Sequence, residues 1–194
     1  MTNILILGAN GQLARNTARY LLKHTDVRLR LYLRRASRLK NPAAQRMEIV
    51  EGDVLDQAAL RAAMQGQDVA FASLAGALAE QARAIIDAMH ASGCRCVIFT
   101  SSMGIYGEVP GERYRSVLDP YRDAAALIEA SDLDLTILRP GWFTSDKSVD
   151  YRLTHKGEPF RGHDVSLDSV PDVVASIAIT PTLYSRSSLG IARV

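Results

Sequence analysis

Apolar and polar positions along the chain fall into blocks whose period switches between that of a buried strand and that of an amphipathic helix. Ile4, Leu5, Ile6 and Leu7 form an unbroken apolar run that stops at Gly8, the pattern of a strand covered on both faces. Gln12–His24 then follows a helical period. Residues 27–33 alternate Val, Arg, Leu, Arg, Leu, Tyr, Leu, a strand with one more exposed face. Residues 47–50 are a short third strand, Gln57–Met64 a helix and residues 68–74 a fully buried fourth strand. Residues 80–91 place Ala84, Ile85, Ala88 and Met89 on one helical face. Cys96–Thr100 is a fifth strand. After it, residues 105–118, with Gly107, Pro110 and Gly111, form an irregular stretch with the make-up of a lid. Asp119 as N-cap with Pro120 at the first helical position predicts a helix over 120–130, and residues 134–138 a sixth strand. Beyond Thr144 the pattern weakens. It predicts a short strand at 149–153, a turn at 156–159, a helix over Ser169–Ile179 capped by Asp168 or Ser169, and a last strand at 189–194.

Strands alternating with helices predict an α/β fold with one parallel sheet in the order 3-2-1-4-5-6, an extra C-terminal strand, and helices on both faces. The 194 residues contain no repeat and no internal linker, so the chain reads as a single domain over 1–194 with a short C-terminal portion. A net charge of +2, with no basic block interleaved with aromatics, argues against nucleic acid as a partner. Cys94 and Cys96 enter the fifth strand in a C-x-C that alternation would put on one face. Without further ligands they read as small buried hydrophobes, and no metal site is expected. The N-terminal apolar run is only four residues long, and nothing approaches the ~18 apolar residues of a membrane span. A cytoplasmic protein without membrane contact is the expectation.

The candidate chemistry begins at Gly8, where Gly8-Ala9-Asn10-Gly11-Gln12-Leu13-Ala14 joins a buried strand to a helix. Unsatisfied N–H groups and the macrodipole at a helix start favour an anion, and the spacing G-x-x-G-x-x-A is a variant of the dinucleotide fingerprint. Gly8 permits the sharp exit, Gly11 lets a pyrophosphate approach, and Ala14 keeps helix and strand close. The same pattern also suits a βα turn with no ligand. Arg34, Arg35, Ser37 and Arg38 follow the second strand, where such a fold faces the adenosine ribose. Guanidinium groups there suit a 2′-phosphate and favour NADP(H) over NAD(H); the alternative is a solvated basic loop. Asp53 and Val54 either flank adenine or belong to the start of the next helix near Asp56. Ala75, Gly76 and Ala77 leave room beyond the fourth strand. Ser101 and Ser102 leave the fifth, as binding hydroxyls or as a turn. Pro140, Gly141 and Trp142, the last the only tryptophan, leave the sixth.

The segments ILILGANGQLA, LYLRR, EGDVLD, VIFTSSMGIYG and IEASDLDLTILRPGW, in this order, resemble the atypical short-chain dehydrogenase/reductase group. Within it the chain is most similar to small NAD(P)H-binding proteins of the NmrA-like, biliverdin-reductase-B-like kind. The resemblance implies a Rossmann-type, doubly wound sheet. It implies that Gly8, Asn10, Gly11, Gln12 and Leu13 hold the pyrophosphate, and that Arg34 and Arg35, with Arg38 as auxiliary, face the ribose. Asp53 and Val54 would flank adenine, Leu74, Ala75, Gly76 and Thr100 would line the dinucleotide, and Pro140, Gly141 and Trp142 would lie by the nicotinamide. Ser101 and Ser102 match the family's serine, and Tyr121 lies on the helix of its catalytic tyrosine. The chain departs from the Y-x-x-x-K pattern, in which lysine lowers the tyrosine pKa: Ala125 stands four residues after Tyr121, and Pro110 four after Tyr106. The implied activity is therefore reduction of a small-molecule acceptor that needs little protonation, such as a flavin or quinone. A non-catalytic NADP(H) sensor acting on a protein partner, and a nucleotide-sugar epimerase or dehydratase, are the alternatives.

Overall fold

The computed structural model describes residues 1–39 and 45–193, so Val194, placed in the last strand by its sequence pattern, lies outside the described residues. The elements in order are β1 Asn3–Leu7, α1 Gln12–His24, β2 Arg28–Leu33, β3 Met47–Glu51, α2 Gln57–Met64, β4 Val69–Ala72, α3 Leu78–Ser92 and β5 Cys96–Thr100. There follow α4 Asp119–Ala130, β6 Asp134–Pro140, β7 Trp142–Thr144, β8 Arg152–His155, β9 Asp164–Ser166, α5 Ser169–Ile179 and β10 Ser187–Ala192. Eight strands form one sheet in the order β3-β2-β1-β4-β5-β6-β10-β8, parallel except that β8 runs antiparallel to β10. The six strands of the expected order are all present, and β1 lies at their centre between β2 and β4.

Each strand of the middle buries both faces. Ile4 and Ile6 pack with Leu13, Ala14, Ala18 and Leu21 of α1 and with Val170, Val173 and Val174 of α5. Leu5 and Leu7 turn the other way, toward α2, α3 and α4 through Leu60, Ile85 and Ile128. Helices therefore cover both faces, which brings the carboxyl ends of β1, β4, β5 and β6 side by side along one rim of the sheet.

Several expectations need correction. Cys96 packs in the layer of α1 and α5 and Cys94 in the opposite one, because Cys94 precedes β5 rather than belonging to it. Asp119 does not cap α4: it is the first helical residue, and its carboxylate accepts from the Tyr114 hydroxyl at 2.6 Å and pairs with Arg122 at 2.9 Å. Asp168 is the N-cap residue of α5, one of the two expected, but its side chain makes no capping hydrogen bond. The Asp168 carboxylate accepts from Asn16, and the Ser169 N–H donates to Ser166 Oγ at 3.1 Å. The short strand predicted at 149–153 forms later, as β8, and β6 continues through Pro140. A two-stranded parallel sheet of β7 and β9 was not foreseen. Asp56 does cap its helix, accepting the Ala59 N–H at 3.0 Å. Asp56→Ala is expected to cost about 1 kcal/mol of stability in urea unfolding, the usual loss for a carboxylate cap.

Candidate functional site

The turn after β1 is built so that only glycine fits its first position. Gly8 has φ +76°, and a Cβ on it would lie 2.3 Å from the Ser73 carbonyl oxygen at the end of β4. The N–H groups of Gly8 and Ala9 both donate to the Tyr32 carbonyl, and that of Gly11 donates to the Gly8 carbonyl at 2.9 Å. Gly11 then caps α1 with no side-chain hydrogen bond, and the first turn holds no acid. Among the described residues the other four α-helices each have an acidic residue as a cap or in the first turn: Asp56, Glu80, Asp119 and Asp172. Among the described α-helices α1 is thus the one with neither an acidic cap nor an acid in its first turn, which favours an anion at its positive end.

That helix end opens on a crevice of about 620 Å³ lined by Gly8, Asn10, Gly11, Arg34, Arg35, Arg38, Asp53, Val54, Leu74 and Ala75. Ten of the residues expected to touch a dinucleotide are therefore together. Gln12 and Gly76 are exposed beside it, and the Leu13 side chain is packed in the core under α1, leaving only its backbone to serve a ligand. Arg34, Arg35 and Arg38 are all exposed, and no carboxylate among the described residues pairs with them. Glu51, which sequence reasoning passed over, accepts the Ala36 N–H at 2.7 Å and so ties the end of β3 to the turn carrying Arg35 and Arg38. Asp53 accepts the Leu55 N–H at 3.0 Å, so the local role is real, yet the residue also lines the crevice. Tyr32 and Gln81, also not foreseen, complete the wall. Burial, followed by Asp56 and Asp53, pushes the Tyr32 phenol up to about 12. The phenol stays a neutral donor to the Asp53 carbonyl at 2.9 Å.

Four buried side-chain atoms stand without a partner among the described residues: Gln57 Oε1, Gln67 Oε1, Gln81 Oε1 and Thr100 Oγ1. Of these residues only Gln81 lines the crevice, and Thr100 lies at the carboxyl end of β5, outside the lining of both cavities. A buried acceptor or hydroxyl rarely goes unpaired unless a ligand or water completes it. The fit of the crevice to a dinucleotide rests on Gln81 Oε1 together with the uncapped helix.

Further along the same rim is a second cavity, of about 330 Å³, at the ends of β5 and β6. Ser101, Ser102, Tyr121, Pro140, Gly141 and Trp142 all line it, so the expected catalytic hydroxyls and nicotinamide-side residues lie together, apart from the first cavity. Its walls add Met103, Val109, Val117, Leu118 and Phe143, and it is largely apolar. Trp142 is 54% exposed and Phe143 43%, unusual for large aromatics inside a fold. Ser101 Oγ donates to the Tyr121 carbonyl at 3.3 Å and Ser102 Oγ to the Met103 carbonyl at 3.1 Å. The expected lid divides: Ile105 is buried and Glu108 is anchored, whereas residues 111–117 are exposed, the last two of them in a short 3₁₀ turn, Ser116–Leu118.

Ala125, in the place of the family's lysine, is fully buried in the core. A tyrosine–lysine neighbourhood does exist elsewhere. Lys156 Nζ lies 4.4 Å from the centre of the Tyr106 ring, but the Tyr106 hydroxyl donates to Glu129 at 2.8 Å and Lys156 pairs with Glu129 at 2.8 Å. Burial first, and Glu129 after it, push the Tyr106 phenol well above its usual range. A phenol held so firmly neutral is the reverse of an activated one.

A family model described as NAD(P)H-binding matches residues 8–181. The chain belongs to the NAD(P)H-binding family. A structure of a Rossmann-fold NAD(P)-binding family protein from Shigella flexneri is 40% identical, with TM-score 0.88, over 100% of this chain and 94% of that one. A short-chain dehydrogenase/reductase from Veillonella parvula, solved in complex with NADP, is 28% identical with TM-score 0.89, over 99% of this chain and 94% of its own. Quinone oxidoreductase 2 of Escherichia coli (strain K12) is 27% identical over 147 residues, 74% of this chain. The chain spans about half the length of that curated relative, 50%. Among the described residues no helix is long and apolar enough to cross a membrane.

Proposed function

We propose that the protein is an NADPH-dependent reductase of a flat, conjugated acceptor such as a flavin or a quinone. The observation that carries this reading is the apolar, aromatic-walled cavity at the ends of β5 and β6, on the same rim as the dinucleotide crevice. The first turn of α1 and Asn10 hold the pyrophosphate, and Arg34, Arg35 and Arg38 take the 2′-phosphate. Thr100 Oγ1 and Gln81 Oε1 gain their missing partners from the bound dinucleotide or its waters. When bound, NADPH supplies a hydride. Trp142 and Phe143 give the acceptor a flat apolar bed, and the Tyr121 hydroxyl, joined by those of Ser101 and Ser102 once they turn away from the carbonyls of Tyr121 and Met103, orients and polarises its carbonyl. With Ala125 in the lysine's place, no ammonium activates Tyr121, so acceptors that take their proton readily from solvent are the ones served. The relative named for quinone oxidation–reduction and the neighbour solved with NADP support the same class.

The test is NADPH oxidation by the purified protein against a panel of flavins, quinones and tetrapyrroles. Turnover with at least one flat acceptor is expected, and none across the panel would overturn the reading. The buried Ala125 also suits a non-catalytic sensor of the NADP/NADPH ratio. That second reading requires one redox form to bind more tightly than the other, because a ligand shifts only an equilibrium it discriminates.

A further inference from the structure

One charge cluster lies outside everything used so far. Arg139, in the buried part of β6, is 0% exposed, and the Glu108 side chain 7%. The Arg139 guanidinium donates to Glu108 at 2.5 Å, to Ser188 Oγ at 3.1 Å, and to the carbonyls of Thr154 and Ser188 at 3.2 Å each. It also sits 5.1 Å from the centre of the Tyr106 ring. Glu108 in turn accepts the Gly104 N–H at 3.0 Å and the Tyr106 N–H at 2.9 Å. Both carboxylate oxygens and the guanidinium are therefore engaged on every side, the arrangement that lets a buried pair persist.

What the pair joins matters more than its strength. Gly104, Gly107 and Val109, on the loop folded around Glu108, form one wall of the acceptor cavity, and Pro140, Gly141 and Trp142, directly after Arg139, form the other. We infer that Glu108 is a positioning residue, whose ion pair with Arg139 sets the gap between these two walls and so tunes acceptor binding while leaving the dinucleotide crevice alone. This rests on the reading of that cavity as the acceptor site. Among the described residues none that lines the dinucleotide crevice hydrogen-bonds with the pair, so the two sites separate.

The experiment compares Glu108→Gln with the wild type in NADPH affinity, in KM and kcat for the best acceptor, and in acrylamide quenching of Trp142, the sole tryptophan. NADPH affinity is expected within about twofold of wild type, KM raised about tenfold or more with kcat falling less, and Trp142 quenching changed. Unchanged KM and quenching would overturn the proposal, as would NADPH affinity falling in step with KM. Because a lone buried guanidinium can unfold a chain, Glu108→Gln/Arg139→Met, which leaves no buried charge, is measured alongside and is expected to show the same split. Failure of both variants to fold would mean that the pair holds the core rather than the cavity, and would also overturn it. If the wild type turns over no acceptor, the reductase reading fails on its own, and Trp142 quenching alone decides whether the pair sets the walls.

Discussion

Gly8→Val is expected to weaken NADPH binding by about a hundredfold or more while the chain still folds. Two costs combine. At φ +76° a β-branched residue adopts a left-handed backbone at roughly 1–2 kcal/mol. Its Cβ would also meet the Ser73 carbonyl oxygen at 2.3 Å, and that atom is backbone, which cannot swing aside. Either β1 or β4 must shift at its carboxyl end, and each choice moves the N–H groups of the first turn of α1 away from the pyrophosphate. Hydrogen bonds to a charged group contribute about 1.5–3 kcal/mol each, so misplacing two suffices for the loss. The strain also lowers the melting temperature, by about 5 °C or more for a chain of this size. Titration calorimetry and thermal unfolding measure the two effects separately. Affinity within about threefold of wild type would mean that the turn does not carry the pyrophosphate.

The parts of the molecule legible in the sequence are those whose cause is local. α1, α2, β5 and α5 have the bounds their periods predict, because an apolar run or a 3.6-residue stripe, closed by Gly8, Asp56 or Pro181, needs no distant partner to be read. The gathering of Gly8, Arg34, Asp53 and Leu74 around one crevice was legible for the same reason: each follows a strand, and parallel order puts strand ends on one rim. β7 and β9 were not. Each has three residues, too few to show a period, and they exist because Trp142–Thr144 pairs with Asp164–Ser166 across a long loop. Gly141 was the available signal, since a Cβ there would lie 2.2 Å from the His163 carbonyl oxygen. The insertion of β10 between β6 and β8 is likewise a tertiary outcome. The Arg139–Glu108 pair spans 31 residues, and its one trace in the sequence is an arginine inside the buried run 135–140.

The second large effect is expected from Arg34→Asp/Arg35→Asp, which should turn a preference for NADPH into one for NADH. Both guanidinium groups are exposed and unpaired among the described residues, so removing them breaks no internal contact and leaves the fold as it is. Charge-assisted bonds to a 2′-phosphate contribute about 1.5–3 kcal/mol apiece when sheltered. Exposure reduces each by roughly half, which leaves about 1.5–3 kcal/mol for the two, or roughly ten- to a hundredfold in NADPH affinity. The new carboxylates add repulsion toward the phosphate and offer acceptors to a free 2′-hydroxyl, as in NAD-binding relatives of this fold. NADH, lacking the phosphate, is expected to change by less than about threefold. Since the charges are exposed and the Debye length is ~8 Å at physiological salt, the wild-type preference should also shrink as salt is raised. Glu51 stays in place as the anchor of the Ala36 turn, so the variant changes charge and not loop shape. Calorimetric titration of both dinucleotides against both proteins reads all of this at once. A wild-type preference under about tenfold, roughly 1.4 kcal/mol, would remove the NADP(H) assignment. It would leave the proposed dinucleotide site itself standing, because on that proposal the turn at Gly8 and the open start of α1 hold the pyrophosphate without help from any guanidinium.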